Sequence, residues 1–216
     1  MDNITIPHDI IDQFRIYFDE SLPKFNDFQW QCNKKILKNL YGIDKEKDYQ
    51  SKRGEIIDKK IRKEIMLAIA SFEIPKKILQ GSYMNFARGI LPIAVHVDIA
   101  EDKRDGDTII IPLTFNKKIK TIWFKEKVFE PIFDNWISAQ NFDTKEKTNN
   151  LRNELDLTNA YYHNPKLIDF LKLDGIGEWT KGNAFRGRRS QPHCSNNFKS
   201  SGIDFKDYII IQTGDE

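Results

Sequence analysis

The amino-acid sequence predicts an α+β chain in which an N-terminal helical layer packs on an antiparallel, barrel-like β core. Two observations predict it. Apolar residues recur at helical spacing as far as Pro75. From Ile78 onward the period shortens, and strand-like runs follow one another without regular helices between them. That pattern excludes parallel βαβ units and leaves an antiparallel sandwich or barrel. A chain of 216 residues suits one compact domain, organised as a helical layer over 1–75 and a β core over 76–216.

The elements follow in order. Ile10, Ile11, Phe14 and Phe18 define a first helix, with His8 ahead of it as a candidate cap. Phe28, Trp30, Ile36, Leu37 and Leu40 suggest a second helix ending near Gly42. A third runs from about Ile56 to Phe72, with Ile57, Ile61, Ile65, Ala68 and Ile69 on one face, and Pro75 closes the region. Strands are expected over 78–86, 93–99, 108–113 and 119–124. The polar stretch from Lys125 to about Asn164, which includes Trp136 and His163, is expected to cover a site mouth rather than build a wall. Strand signals return at Leu167–Leu171, Gly182–Phe185, His193 and 206–211.

Composition narrows the class. Charged residues make up 31% and hydrophobic ones 39%, with 15 Phe to fill a core, so the chain is globular rather than disordered. A net charge of +2 is too small to imply nucleic acid. Cys32 and Cys194 give no disulfide framework. Met1–Thr5 lacks the basic start and apolar run of a signal peptide, and no apolar stretch approaches the roughly 18 residues of a membrane helix. A reducing cytoplasm is the expected setting.

Two short stretches carry candidate chemistry. His96-Val97-Asp98 follows apolar residues, and on a strand its two polar side chains share one face while Val97 takes the other. His193 heads His193-Cys194-Ser195-Asn196-Asn197, with small polar groups able to orient it. Each has an ordinary reading, as a part-buried strand histidine, a turn aspartate and a loop histidine. Taken as a set, two imidazoles and one carboxylate with further positions open suit non-haem Fe(II). Lys206 opens the last strand on the face shared with Tyr208 and Ile210, where an inward cation needs an anion. Cys194 falls on the opposite face from His193 and reads as packing. Trp123 and Trp136 could line a substrate pocket, with core burial the plainer reading.

These features resemble the 2-oxoglutarate/Fe(II)-dependent dioxygenases, in particular small single-domain members. The family pattern of H-x-D, a distant H and then a basic residue is met by His96-Val97-Asp98, His193 and Lys206. The runs Asp107–Leu113 with Thr121–Phe124, and Trp179–Phe185 leading to His193, look like the flanking strands of that family. The likeness covers roughly 78–213. One departure is that the basic anchor is more often Arg about ten residues after the histidine, whereas Lys206 stands 13 residues beyond it. Arg188 or Arg189 could substitute. The resemblance implies a double-stranded β-helix (a jelly-roll, cupin-like barrel) holding iron on His96, Asp98 and His193. It implies 2-oxoglutarate anchored by Lys206 with a hydrogen bond from Tyr83, and hydroxylation of an unidentified substrate by O2 with release of succinate and CO2.

Two other readings are compatible with the residues. A cupin-like metalloenzyme or hydrolase could use the same triad without 2-oxoglutarate. A nucleic-acid-binding module could use Lys181, Arg186, Arg188 and Arg189 interleaved with Trp179 and Phe185. A solvated loop is the plainer account of that patch.

Overall fold

The computed structural model describes residues 1–28, 51–90, 92–93, 95–98, 105–128, 168 and 171–214. Most of the strands fall into one seven-stranded antiparallel sheet. It comprises β1 (Asp2–Thr5), β2 (Asn26–Phe28), β3 (Ser51–Glu55), β4 (Tyr83–Gly89), β5 (Asp107–Pro112), β8 (Asn183–Arg188) and β10 (Lys206–Gln212), in the order β1-β8-β5-β10-β4-β3-β2. A three-stranded sheet of β7 (Leu173–Glu178), β6 (Lys120–Phe124) and β9 (His193–Ser195) runs in the order β7-β6-β9. The helices are α1 (His8–Ser21), α2 (Lys59–Ala68) and α3 (Lys76–Gln80). No helix among the described residues is long and apolar enough to cross a membrane.

Strand alternation sorts the core into layers. On the large sheet, Met84, Phe86, Ile109, Ile111, Ile209 and Ile211 face Ile11, Phe14, Phe18 and Ile65 of the helices. Each such side chain, fully buried, contributes about 1.5–3 kcal/mol of transfer free energy. The opposite face carries Ala87, Ile110, Phe185 and Tyr208 against Trp123, Trp179 and Phe198. Glycines let the sheets close. A Cβ at Gly187 would meet the Trp123 ring at 2.4 Å, and one at Gly177 would meet the Phe185 ring at 2.8 Å. The outer face of the small sheet has its own cluster of Ile122, Phe124 and Cys194 with Val95 and Val97. Cys194 is thus packing on the face away from His193.

The helical layer is also tied down by charge. Asp207, fully buried on β10, accepts from Arg88 of β4 at 2.7 and 2.8 Å and from Arg15 of α1 at 2.7 Å. A buried carboxylate needs such partners, because desolvation otherwise makes its charge costly.

Several expectations are corrected. Ile78-Leu79-Gln80 belongs to α3, which starts after Pro75 and buries Leu79, so the strand begins only at Tyr83. Pro75 supplies a helix start, and the bulky residues after it make one helical turn rather than a period-2 run. The 93–99 stretch is not a regular strand among its described residues, since only His96 pairs, in a single bridge with His193. Of the strand expected at 167–171 only Ile168 and Leu171 are described, and neither lies in a strand; β7 starts at Leu173. Pro7, not His8, occupies the cap position of α1. The first 75 residues also supply three strands, β1, β2 and β3, to the large sheet. The helix expected at 28–42 lies outside the described residues except for Phe28, which ends β2, and Trp136 and His163 lie outside them too.

Candidate metal centre

His193 sits on β9 and His96 on the segment beside it. The two exchange backbone hydrogen bonds, His96 N–H to His193 C=O at 3.0 Å and His193 N–H to His96 C=O at 2.9 Å. Asp98, two residues on, projects to the same side, and one donor atom from each of the three side chains lies within 4.8 Å of the others. His193 Nε2 is 3.3 Å from Asp98 Oδ2 and His96 Nε2 is 3.6 Å from Asp98 Oδ1. The Nδ1 of His193 lies 3.0 Å from the Gln191 carbonyl. A carbonyl only accepts, so Nδ1 carries a proton, which leaves Nε2 as the ring atom that faces Asp98 and that a metal would take.

Burial pushes the Asp98 carboxyl up, but the His193 and His96 imidazoles and the Thr108 hydroxyl outweigh it and hold it well below the usual carboxylate range. Thr108 Oγ1 donates to Asp98 Oδ2 at 2.6 Å. Arg189, buried beneath, donates to the Asp98 carbonyl from Nε at 2.9 Å and from Nη2 at 2.8 Å. Its Nη1 donates to the Thr213 carbonyl at 3.0 Å, while its own C=O accepts from Asp98 N–H at 2.9 Å. Arg189 therefore fixes the backbone that presents Asp98. Replacing it, Arg189→Met, is expected to weaken metal binding by roughly 10–100-fold, the usual cost of losing an outer-shell partner. Competition against a chelator of known affinity measures it, and an unchanged affinity refutes the assignment.

Lys206 opens β10 opposite Gly89 and points between the sheets, 2% exposed. Its Nζ donates to Ser195 Oγ at 2.5 Å and lies 4.8 Å from the Trp179 ring centroid and 5.6 Å from those of Phe198 and Tyr208. No carboxylate among the described residues pairs with it, and burial pushes its ammonium down to about 7. Ser195 lies two residues after His193 on β9, so Lys206 meets the same strand face as the imidazole, about 7 Å farther along.

The other candidates are placed differently. Tyr83 begins β4 with 68% of its surface exposed, at the end of the sheet where Gln212 and Thr108 also lie. Arg188 pairs with Asp107 at 3.0 Å and donates to the Asp105 carbonyl. The basic patch is divided among partners: Lys181 with Asp12 at 2.5 Å, Arg186 with Asp2, and Arg189 with backbone carbonyls. Trp179 and Phe185 are buried. Thr108 and Gln191 are not legible as site residues, and Arg189, read as a possible cosubstrate anchor, instead supports Asp98, because only tertiary placement brings them to the triad. Trp123 is core, as expected, yet its ring stacks on His193 at 4.1 Å.

A two-sheet antiparallel fold brings two imidazoles and a carboxylate together between the sheets as a candidate metal centre. The fold matches the crystal structure of the non-heme alpha ketoglutarate dependent epimerase SnoN from nogalamycin biosynthesis. The TM-score is 0.56 at 9% identity, over 99% of this chain and 78% of that one. A crystal structure of SnoN in complex with Fe3+, alpha ketoglutarate and nogalamycin RO matches with a TM-score of 0.51 at the same identity and coverage. The chain has the fold of this alpha ketoglutarate dependent enzyme. No family model matches the sequence, and neither does any curated protein.

Proposed function

We propose that this chain is an Fe(II)- and 2-oxoglutarate-dependent oxygenase of the double-stranded β-helix type that hydroxylates an unidentified substrate, with succinate and CO2 as co-products. The observation that carries the reading is a pairing: a His-Asp-His cluster with donor atoms within 4.8 Å, and a buried Lys206 ammonium with no carboxylate partner among the described residues. The donor set fits ferrous iron, which takes two imidazoles and a carboxylate on one face and leaves the others open. The lysine fits a dianionic cosubstrate, since an isolated buried cation is costly without an anion. Bound together, iron and 2-oxoglutarate supply the activation of O2.

The roles of the chain's own residues follow. His96, Asp98 and His193 hold the metal, with Gln191 fixing the His193 tautomer and Thr108 the carboxylate. Lys206, backed by Ser195 and boxed by Trp179, Phe198 and Tyr208, receives the far carboxylate of the cosubstrate. The spacing between Ser195 and His193 along β9, about 7 Å, matches an extended five-carbon dicarboxylate laid from metal to lysine. The aromatic walls exclude water, which strengthens each charged contact and protects the reactive centre. Tyr83 stands at the rim, suited to substrate or cosubstrate contact. A reducing cytoplasm, which keeps iron ferrous, suits this chemistry.

The test is anaerobic titration of the metal-free protein with Fe(II) and then 2-oxoglutarate, read at the visible metal-to-ligand charge-transfer band. The band is expected only when both are present. Metal binding without it removes the cosubstrate and leaves a cupin-like metalloenzyme or hydrolase.

A further inference from the structure

Two tryptophans line the space between the sheets, and their indole N–H groups are treated differently. Trp179 Nε1 donates to Thr121 Oγ1 at 3.1 Å. Trp123 is fully buried as well, but its Nε1 has no hydrogen-bond partner among the described residues. A buried N–H without an acceptor costs about 1–3 kcal/mol, and native interiors hold few of them. Position argues for a missing acceptor rather than a packing fault. In the register of β6 and β9, Trp123 stands opposite His193 and Thr121 opposite Ser195. Ser195 is the group that Lys206 touches, so the indole occupies the rung at the metal end of the slot that leads to the lysine. One face of the ring stacks on the His193 imidazole, 4.1 Å away at 21°. Gly187 packs over a face of the benzo ring, where a Cβ would lie 2.4 Å from Cε3 and Cζ3 and 2.9 Å from Cδ2.

We propose that Trp123 is a cosubstrate-positioning residue whose indole N–H donates to an oxygen of the 2-oxo acid held between the metal and Lys206. The inference rests on the function proposed above and adds to it a neutral donor, fixed by stacking on a metal ligand. Anything that spans from the imidazole end to the ammonium end passes this ring. A carboxylate or keto oxygen there gives the indole the acceptor that the described residues do not supply, in a setting from which water is excluded.

The experiment uses the full chain labelled with 15N at its 4 tryptophan indoles, loaded with zinc as a diamagnetic stand-in for iron. Zinc is added alone and then with 2-oxoglutarate. The Trp123 indole resonance is expected to stay near its place with zinc and to shift downfield, with slowed solvent exchange, on addition of 2-oxoglutarate. Trp123→Phe identifies the resonance, and it should weaken 2-oxoglutarate binding roughly tenfold, the value of a hydrogen bond to a charged group. Zinc affinity should change by less than about threefold, because the stacked ring remains. Should Trp123→Phe not fold, the wild-type resonance is assigned from its nuclear Overhauser contact with the His193 ring. A wild type that binds 2-oxoglutarate while this resonance stays still overturns the inference alone. A wild type that binds zinc but no 2-oxoglutarate overturns the function and the inference together.

Discussion

Asp98→Ala leaves a folded protein that no longer retains iron. The carboxylate is the only anion in the triad, and without it the site keeps two neutral imidazoles and loses both its charge and its third ligand. The loss should exceed the roughly 10–100-fold that removal of an outer-shell partner costs. Alanine keeps the backbone bonds that organise the segment, since Arg189 contacts the Asp98 carbonyl and N–H rather than its side chain. Circular dichroism should therefore be unchanged while anaerobic Fe(II) binding falls below detection at stoichiometric concentrations. A variant that still holds one equivalent of iron removes Asp98 from the ligand set.

Lys206→Met separates stability from ligand binding. Removing one member of a buried charge pair costs about 2–5 kcal/mol of affinity, so 2-oxoglutarate binding should become undetectable by calorimetry. The ligand-free protein, by contrast, should gain stability, because methionine fills the aromatic box without a charge to desolvate. The pH dependence gives the sign. The folded-state ammonium, at about 7, lies below its ordinary value of 10.5. Between those values the unfolded chain binds more protons than the folded one, so wild-type stability rises with pH across that window. Below it the penalty is complete and no longer varies. The variant lacks this rise. Binding a carboxylate restores the ammonium, so above neutral pH the ligand binds with proton uptake and loses affinity as pH increases. Melting curves at pH 6 and 9, with calorimetry in two buffers of different ionisation enthalpy, check each part. Equal melting temperatures for wild type and variant at pH 6 contradict the stability argument, and retained 2-oxoglutarate affinity reassigns the anchor.

The parts of this molecule that could be read from sequence are those whose signal is local. The isoleucine runs at 109–111 and 209–211 announce buried strands, and they become β5 and β10 at the centre of the large sheet. Lys206 is an odd residue at the head of such a run, and alternation alone put it on the inner face. β3 offered no such signal. Its sequence, Ser-Lys-Arg-Gly-Glu, has no apolar residue, and it is a strand because β4 presents an unpaired edge to it. α3 was misread because Ile78-Leu79 suits either period in so short a segment. Thr108 was silent, and Arg189 was legible only as a possible anchor and not as the support of Asp98, for another reason. An arginine beside another arginine looks like surface charge until the fold shows that one of them bonds buried carbonyls and the other meets acids at the rim.

The paired backbone of His96 and His193 has a thermodynamic consequence. Because each peptide group holds the other through a reciprocal bond, the scaffold itself ties together the two segments that carry the proposed ligands. Loading then draws little on chain entropy, unlike domains that collapse without their zinc. Chelation should strip the ion and leave a scaffold ready to be refilled. Cycles of depletion and reconstitution, with a different divalent ion each time, should therefore be possible on a single preparation without refolding.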